Sequence, residues 1–175
     1  NTENLVLSGG CSLNSSLNGK ILEKTNFKNL YIPSNCGDAG GALGSALDTL
    51  FHLDKKNFKI KKIEKTYWGP KYSNEYIENN IINNLSTNLK SKIQIKKFNK
   101  EIELYNFVTE ELTNFKIVSW FQGELEFGPR ALGNRSILAD PRKFETIAKI
   151  NHKIKKRDFW MPFTPSVLFE DRNKF

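Results

Sequence analysis

The sequence predicts an α/β fold in which single short strands alternate with amphipathic helices. Three observations carry that prediction. Ala39, Ala42, Leu43, Ala46, Leu47, Leu50 and Phe51 recur at i, i+3, i+4 and i+7, which lines one face of a helix. Two short apolar runs, residues 5–7 and 30–33, break into the turns Ser8-Gly9-Gly10 and Ser34-Asn-Cys-Gly-Asp38, as brief buried strands do. The same order returns later, where Ile102, Tyr105, Val108 and Leu112 mark a helix ahead of an apolar run at 117–121. Helices alternating with single strands imply a helix-covered sheet.

Taken in order, residues 5–7 form a strand that runs through Gly9 and Gly10 into a helical segment marked by Leu13, Leu17, Ile21 and Leu22. A strand, a glycine pair and a helix bring an anion against backbone N–H groups at a helix N-terminus. The pair fits neither the GxGxxG nor the GxxxxGK[ST] spacing, so the motif is weak by itself. Asn14, one turn into the helix, either offers its amide to whatever the glycines admit or is a first-turn polar residue. Asp38 stands before the helix expected from Ala39, as an N-cap or as a carboxylate for a metal or substrate. Gly40, Gly41 and Gly44 each cost ~1 kcal/mol relative to Ala in a helix, which signals close approach by another backbone or a ligand.

Charge rises and patterning lapses from Asp54 to Lys65, and Trp68-Gly69-Pro70 closes that stretch with turn residues. It reads as a connector over 54–70, between a first unit at 1–53 and a second at 71–175. Ser73 is the expected cap of a helix through Tyr76, Ile77, Ile81 and Leu85, and Ile93-Gln-Ile95 alternates as a strand. Asn99 is expected to cap the helix through Leu112. Residues 136–139 resemble another strand, and Asp140-Pro-Arg opens a helix carrying Phe144, Ile147, Ala148 and Ile154. Pro162 and Pro165 impose extended backbone ahead of a last strand.

Composition bounds the function. At 175 residues, with 38% hydrophobic and 12% aromatic content, the chain holds one domain or two small ones with a real core. No apolar run approaches the ~20 residues of a membrane span, and no cleavable leader is legible, so a cytoplasmic protein without membrane contact is expected. Cys11 and Cys36 do not make a disulfide framework and are expected as free thiols. His52 and His152 have no partners at ligand spacing, so no self-contained metal site can be read. A net charge of +8 raises nucleic acid as a partner through Lys55, Lys56, Lys59, Lys61, Lys62 and Lys65. That run lacks interleaved stacking aromatics apart from Phe58, and a solvated lysine-rich connector is the stronger reading.

Cations of a second type are placed selectively. The chain has 27 basic residues, of which the arginines are Arg130, Arg135, Arg142, Arg157 and Arg172, all in the last third. Three of them sit in Phe121-Gln-Gly-Glu-Leu-Glu-Phe-Gly-Pro-Arg-Ala-Leu-Gly-Asn-Arg-Ser136 and its continuation to Arg142, among Gly123, Gly128 and Gly133. A guanidinium grips phosphate or carboxylate as a planar fork, which lysine cannot copy, so the switch to arginine around glycines points to an oxyanion. The alternative is a set of structural arginines at turns and helix ends. Lys155, Lys156 and Arg157, close to a stiff aromatic segment, make a further cationic cluster.

These residues resemble the NodU/CmcH carbamoyltransferases, a family of nodulation-factor and antibiotic O-carbamoyltransferases. Leu7-Ser-Gly-Gly-Cys-Ser-Leu-Asn14 and Pro33-Ser-Asn-Cys-Gly-Asp-Ala-Gly-Gly-Ala-Leu-Gly44 resemble the end of the family's ASKHA-type (actin and sugar-kinase-like) domain. Trp120-Phe-Gln-Gly through Arg142, and Lys155-Lys-Arg157 through Pro162-Phe-Thr-Pro-Ser166, resemble its C-terminal YrdC-like domain, an α/β twisted sheet. The resemblance implies that carbamoyl phosphate and ATP, with Mg2+, give carbamoyl-adenylate, and that the carbamoyl group passes to a hydroxyl of a small-molecule or glycan acceptor.

By the same resemblance, Arg130, Arg135, Lys156 and Arg157 are expected as catalytic residues, with Gly128, Ser136 and Ser166 in the activation site. Adjacent Lys155 leaves the register of Lys156 open. Gly9, Gly10 and Asn14 are expected to line the nucleotide pocket of the ASKHA-type domain. Asp38 is expected as a late ligand of its divalent metal, iron among the candidates. The histidines that complete that metal site in the family have no counterpart here, so the chain is expected to be a fragment of a longer enzyme without transfer activity of its own. A homodimer is compatible with the resemblance. The alternatives are a non-catalytic nucleotide-binding module and an RNA-binding module of YrdC-like fold.

Overall fold

Asn4–Val6 (β1) and Asn29–Tyr31 (β2) pair in parallel, with Leu5 opposite Leu30 and Val6 opposite Tyr31. The structure, a computed structural model, describes residues 2–59, 63 and 65–174. Parallel neighbours need a crossover, and the helix Ser15–Lys24 (α1) supplies it. A 3₁₀ turn, Gly10–Leu13, leads into α1, and Asn14 caps it by accepting the Leu17 N–H at 3.1 Å on its side-chain oxygen. The Leu7 N–H extends the ladder to the Tyr31 carbonyl at 3.0 Å.

The helix expected from Ala39 is present but starts later, as a 3₁₀ turn at Asp38–Gly40 followed by Gly41–Leu53 (α2). Asp38 is not its cap. The residue lies inside the 3₁₀ turn, where its carbonyl accepts the Gly41 N–H, and its exposed carboxylate makes no capping bond. Of the three glycines expected in close contact, Gly40 alone is constrained, because a Cβ there would overlap the Asn35 carbonyl oxygen. Gly41 and Gly44 face open space. Helical periodicity did place the apolar residues on one face of α2, yet that face is only partly covered, with Leu43 half-buried and Leu50 54% exposed.

Residues up to Ile93 together with Trp120–Ser136 form one compact unit, and Gln94–Ser119 with the residues from Ile137 onward form a second. In the first, Ser73 caps Asn74–Ile77 (α3) by accepting the Tyr76 N–H at 3.0 Å, and the helix continues as a π-helical turn, Glu78–Ile82. Ser86 caps a short helix that the sequence did not signal, Thr87–Lys90 (α4). In the second, Glu101–Thr113 (α5) starts from Lys100 and not from Asn99, with Glu101 and Glu103 set favourably against the helix dipole in its first turn. Phe144–Lys149 (α6) runs into a π-helical turn, Ile150–Ile154.

Val118–Phe121 (β3) and Arg135–Leu138 (β4) form a second two-stranded sheet. Two expected strands are absent. Residues 93–95 are irregular, with Ile93 45% and Ile95 51% exposed, and residues 166–168 lead into a 3₁₀ turn, Phe169–Lys174. Alternation and extended backbone make a strand only where a partner supplies the hydrogen bonds, and neither segment has one. The mixture of helices and small sheets is α/β. Lys61 and Lys62 of the basic run lie outside the described residues.

Full burial among the described residues falls more on polar than on apolar side chains. Cys36 and Ile150 are buried, as are Ser12, Asn35, Glu126, Thr146 and Asn151. Each unit is therefore centred on buried hydrogen-bonding groups that must be satisfied internally.

The glycine geometry gives contrasting substitutions. Gly40→Ala is expected to destabilise the protein by at least ~2 kcal/mol, because its methyl has no room against Asn35. Gly44→Ala, in open space within α2, should stabilise by ~0.5–1 kcal/mol. Thermal melting of the two variants checks the opposite signs.

Candidate functional site

The loop between β3 and β4 is pinned along its length by residues 66–70, the end of the stretch expected as a connector. The Phe127 N–H reaches the Thr66 carbonyl at 2.6 Å, the Gly69 N–H the Leu125 carbonyl at 2.9 Å, and the Leu125 N–H the Pro70 carbonyl at 3.2 Å. Tyr67 forms a β-bridge with Glu126 and donates its hydroxyl to the Leu132 carbonyl at 3.0 Å. The Trp68 and Phe127 rings pack at 5.4 Å. Gly128 takes φ 138°, and a Cβ there would stand 2.6 Å from the Ser34 carbonyl oxygen, so glycine is required by both torsion and space. The loop thus lies backbone to backbone on the turn that follows β2.

Glu126 organises its interior. The side chain has no solvent exposure, and Oε1 accepts N–H groups from Leu132 at 2.8 Å, Asn134 at 2.8 Å and Arg135 at 3.2 Å. Oε2 accepts no hydrogen bond and lies 3.4 Å from Arg135 Nε. Burial pushes the Glu126 carboxyl up, but the backbone N–H groups of Leu132, Glu126 itself, Asn134 and Arg135 outweigh it, so the group stays below its ordinary pKa. Sequence reasoning passed over Glu126. The signal available was one of two acids, Glu124 and Glu126, inside a glycine-rich loop, and an acid there has the same appearance when it is merely solvated.

The three arginines of residues 121–142 differ in what they are committed to. Arg130 donates one bond, from Nη2 to the Leu13 carbonyl at 3.1 Å, and is otherwise exposed. Arg135 donates from Nη2 to the Gly128 carbonyl and faces Glu126 through Nε. Arg142, in the second unit, grips Asp140 with Nε at 2.9 and 2.8 Å from its two oxygens. Those hydrogen bonds hold the Asp140 carboxyl low and raise the Arg142 guanidinium, so Arg142 is a structural arginine.

Eight of the expected site residues fall in the first unit: Gly9, Gly10, Asn14, Asp38, Gly128, Arg130, Arg135 and Ser136. Gly9 donates its N–H to the Cys36 carbonyl at 2.6 Å, which ties the glycine pair to the turn on which Gly128 rests. Arg130 reaches the residue next to Asn14, whose own oxygen is taken up by capping α1. A cavity of about 530 Å³ opens beside this turn, lined by Tyr31, Asn35, Gly37, Gly40, Trp68 and Phe127 among others. Asp38 stands exposed, and no group of three His, Cys, Asp or Glu side chains converges among the described residues. A metal at Asp38 would need its other ligands from elsewhere.

Lys156, Arg157 and Ser166 belong to the second unit. Asn151 is fully buried there and donates Nδ2 to the Phe159 and Met161 carbonyls at 3.1 and 3.0 Å. Its Oδ1 accepts Arg157 Nε at 2.7 Å, Arg157 Nη2 reaches the Pro162 carbonyl at 3.3 Å, and the guanidinium lies 4.8 Å over the Phe163 ring. Arg157 therefore ties the aromatic segment to the start of the π-helical turn. The preceding Lys156 takes φ 47°, a left-handed conformation uncommon for a side-chain-bearing residue, and is exposed. Ser166 is exposed on extended backbone.

An arginine loop and a glycine turn are thus joined within one α/β unit. Residues 1–47 match the family model described as Carbamoyltransferase N-terminus, and residues 109–175 match the one described as Carbamoyltransferase C-terminus. The chain belongs to the carbamoyltransferase family. It is 40% identical over 171 residues to an uncharacterized protein of Synechocystis, covering 96% of this chain and 27% of the relative. It is 38% identical over 172 residues to nodulation protein NolNO of Sinorhizobium fredii, covering 98% and 24%. With the 3'-hydroxymethylcephem-O-carbamoyltransferase of Amycolatopsis lactamdurans it shares 28% identity over 170 residues, covering 97% and 29%. The chain thus spans 24% to 29% of the length of these curated relatives.

Removing the Glu126 side chain by Glu126→Ala strands three N–H groups and is expected to cost about 3 kcal/mol. Because the folded pKa is depressed, the stabilisation is complete above the unfolded value of about 4.3 and is lost as pH falls below it through the folded value. Denaturant titrations across that range should show an acid limb that Glu126→Gln lacks. In the second unit, Asn151→Ala should cost about 2–3 kcal/mol by releasing Arg157 and two carbonyls, read by the same titration.

Proposed function

We propose that the chain is part of an ATP-dependent O-carbamoyltransferase of the cytoplasm. In this reading, water releases phosphate from carbamoyl phosphate, the carbamate oxygen attacks the α-phosphorus of ATP to give carbamoyl-adenylate and pyrophosphate, and the carbamoyl group passes to a hydroxyl of a sugar-like or antibiotic-like acceptor with AMP leaving. The observation that carries it is the pair Arg130 and Arg135, each held by only part of its guanidinium in a loop that rests on the Ser34–Cys36 turn. Relatives named as an O-carbamoyltransferase and as a nodulation protein support the reaction class. The free thiols of Cys11 and Cys36 suit a reducing compartment. No helix among the described residues is long and apolar enough to cross a membrane.

The reading also takes the fold as the end of an ASKHA-type domain followed by a YrdC-like domain. Phosphoryl and nucleotidyl chemistry gains chiefly from positioning and charge stabilisation, which arginine forks and backbone N–H groups supply. Arg130 and Arg135 would bind the phosphate oxygens of the donor, with Gly128 and Ser136 shaping the loop beside them. In the second unit, Lys156 offers an exposed cation and Arg157 shapes the segment that follows it. Gly9 and Gly10 would admit a phosphate close to backbone, and Mg2+ would neutralise part of the nucleotide charge. Asp38 lacks converging ligands among the described residues, so no step is assigned to a metal there.

Incubating the full-length protein with carbamoyl phosphate and labelled ATP should release pyrophosphate in a carbamoyl phosphate-dependent manner. Its absence would contradict the reading. Arg130→Ala and Arg135→Ala are each expected to lower kcat/KM for carbamoyl phosphate by about 10²–10³-fold, the loss typical of one preorganised charge-stabilising group.

A further inference from the structure

Glu126 bears on the aim of Arg135 as well as on the fold of the loop. Oε1 gathers three backbone N–H groups and fixes residues 132–135 around one atom. Oε2 is different in kind, because it is buried without a hydrogen bond and its ion-pair partner is Arg135, with Nε 3.4 Å away. A buried carboxylate oxygen in that state is held by counter-charge. On its other side Arg135 gives one Nη2 proton to the Gly128 carbonyl. Nη1 and the second Nη2 proton have no partner among the described residues, and the side chain is 40% exposed. A guanidinium tethered at its inner edge and open at its outer edge suits an end-on, two-point grip on a phosphate or carboxylate.

We propose that Glu126 is the positioning residue of the anion loop, holding Arg135 with its outer edge turned to the phosphate of the donor. The proposal rests on the reading of this loop as a carbamoyl phosphate site. The two carboxylate oxygens divide the work, since Oε1 shapes the loop and the charge at Oε2 aims the arginine. Glutamine separates the two, because its carbonyl can still accept the three N–H groups while an uncharged NH₂ replaces the oxygen that faces Arg135 Nε.

Calorimetric binding of carbamoyl phosphate to the full-length protein tests this with Glu126→Gln, Arg135→Ala and the double variant. Glu126→Gln should weaken binding about 10- to 100-fold, the size expected when a contact group is misplaced by about 1 Å. The double variant should bind no more weakly than Arg135→Ala alone, because both changes remove one interaction. The Arg135 Nε–H resonance in ¹⁵N spectra should shift in Glu126→Gln, and Glu126→Asp, which keeps the charge but retracts it, should restore part of the binding. If Arg135→Ala weakens binding while Glu126→Gln binds as wild type, or if the two losses multiply in the double variant, the proposal falls and the donor-site reading stands. If Arg135→Ala leaves binding unchanged, the donor-site reading fails and takes the proposal with it.

Discussion

Three backbone N–H groups from residues 132, 134 and 135 converge on Glu126 Oε1, and the loop between β3 and β4 has its shape because that oxygen is buried. A carboxylate removed from water is costly unless its lone pairs are met, and here the backbone of its own loop meets them. With residues 132–135 so fixed, Arg135 lies beside Glu126 Oε2, while Gly128 rests against Ser34. Arg135 is then presented by a frame tied through backbone hydrogen bonds. Rigid presentation is what lets an arginine act on charge that develops in a transition state, where reorganising a mobile side chain would consume the gain.

The second unit repeats the device with a neutral group. Asn151 satisfies two carbonyls and Arg157 from a fully buried position, and it holds the aromatic segment against the π-helical turn. Arg157 was expected as a catalytic residue, and the geometry gives it structural partners on two of its nitrogens. Its neighbours Lys155 and Lys156 are exposed cations, Lys156 in a left-handed conformation. This favours Lys156 over Arg157 as the group free to meet a ligand.

What the sequence made legible follows from how local each cause is. The capping serine at 73 and the apolar face of α2 are dictated by neighbours three and four residues away, and both stand as expected. The arginine switch singled out the loop from residue type alone, because a guanidinium fork is chemically distinct from an ammonium. Strand assignments at 93–95 and 166–168 failed because a strand needs a partner that alternation cannot supply. Glu126 was invisible for a related reason. Its role comes from burial by residues 66–70, which stand far away in the chain and were read as a plain connector. Position alone left Asp38 open between a cap and a ligand carboxylate, and the start of the helix two residues later removes the capping role.

The central claim is that the glycine and arginine loop holds the phosphate of a carbamoyl donor. A crystal structure of the full-length protein soaked with carbamoyl phosphate measures this most directly. The account predicts a phosphate group within hydrogen-bonding distance of Arg135 Nη1 and of the Arg130 guanidinium, with the Glu126 contacts unchanged. A phosphate seated away from both arginines, with the loop as described here, would contradict it.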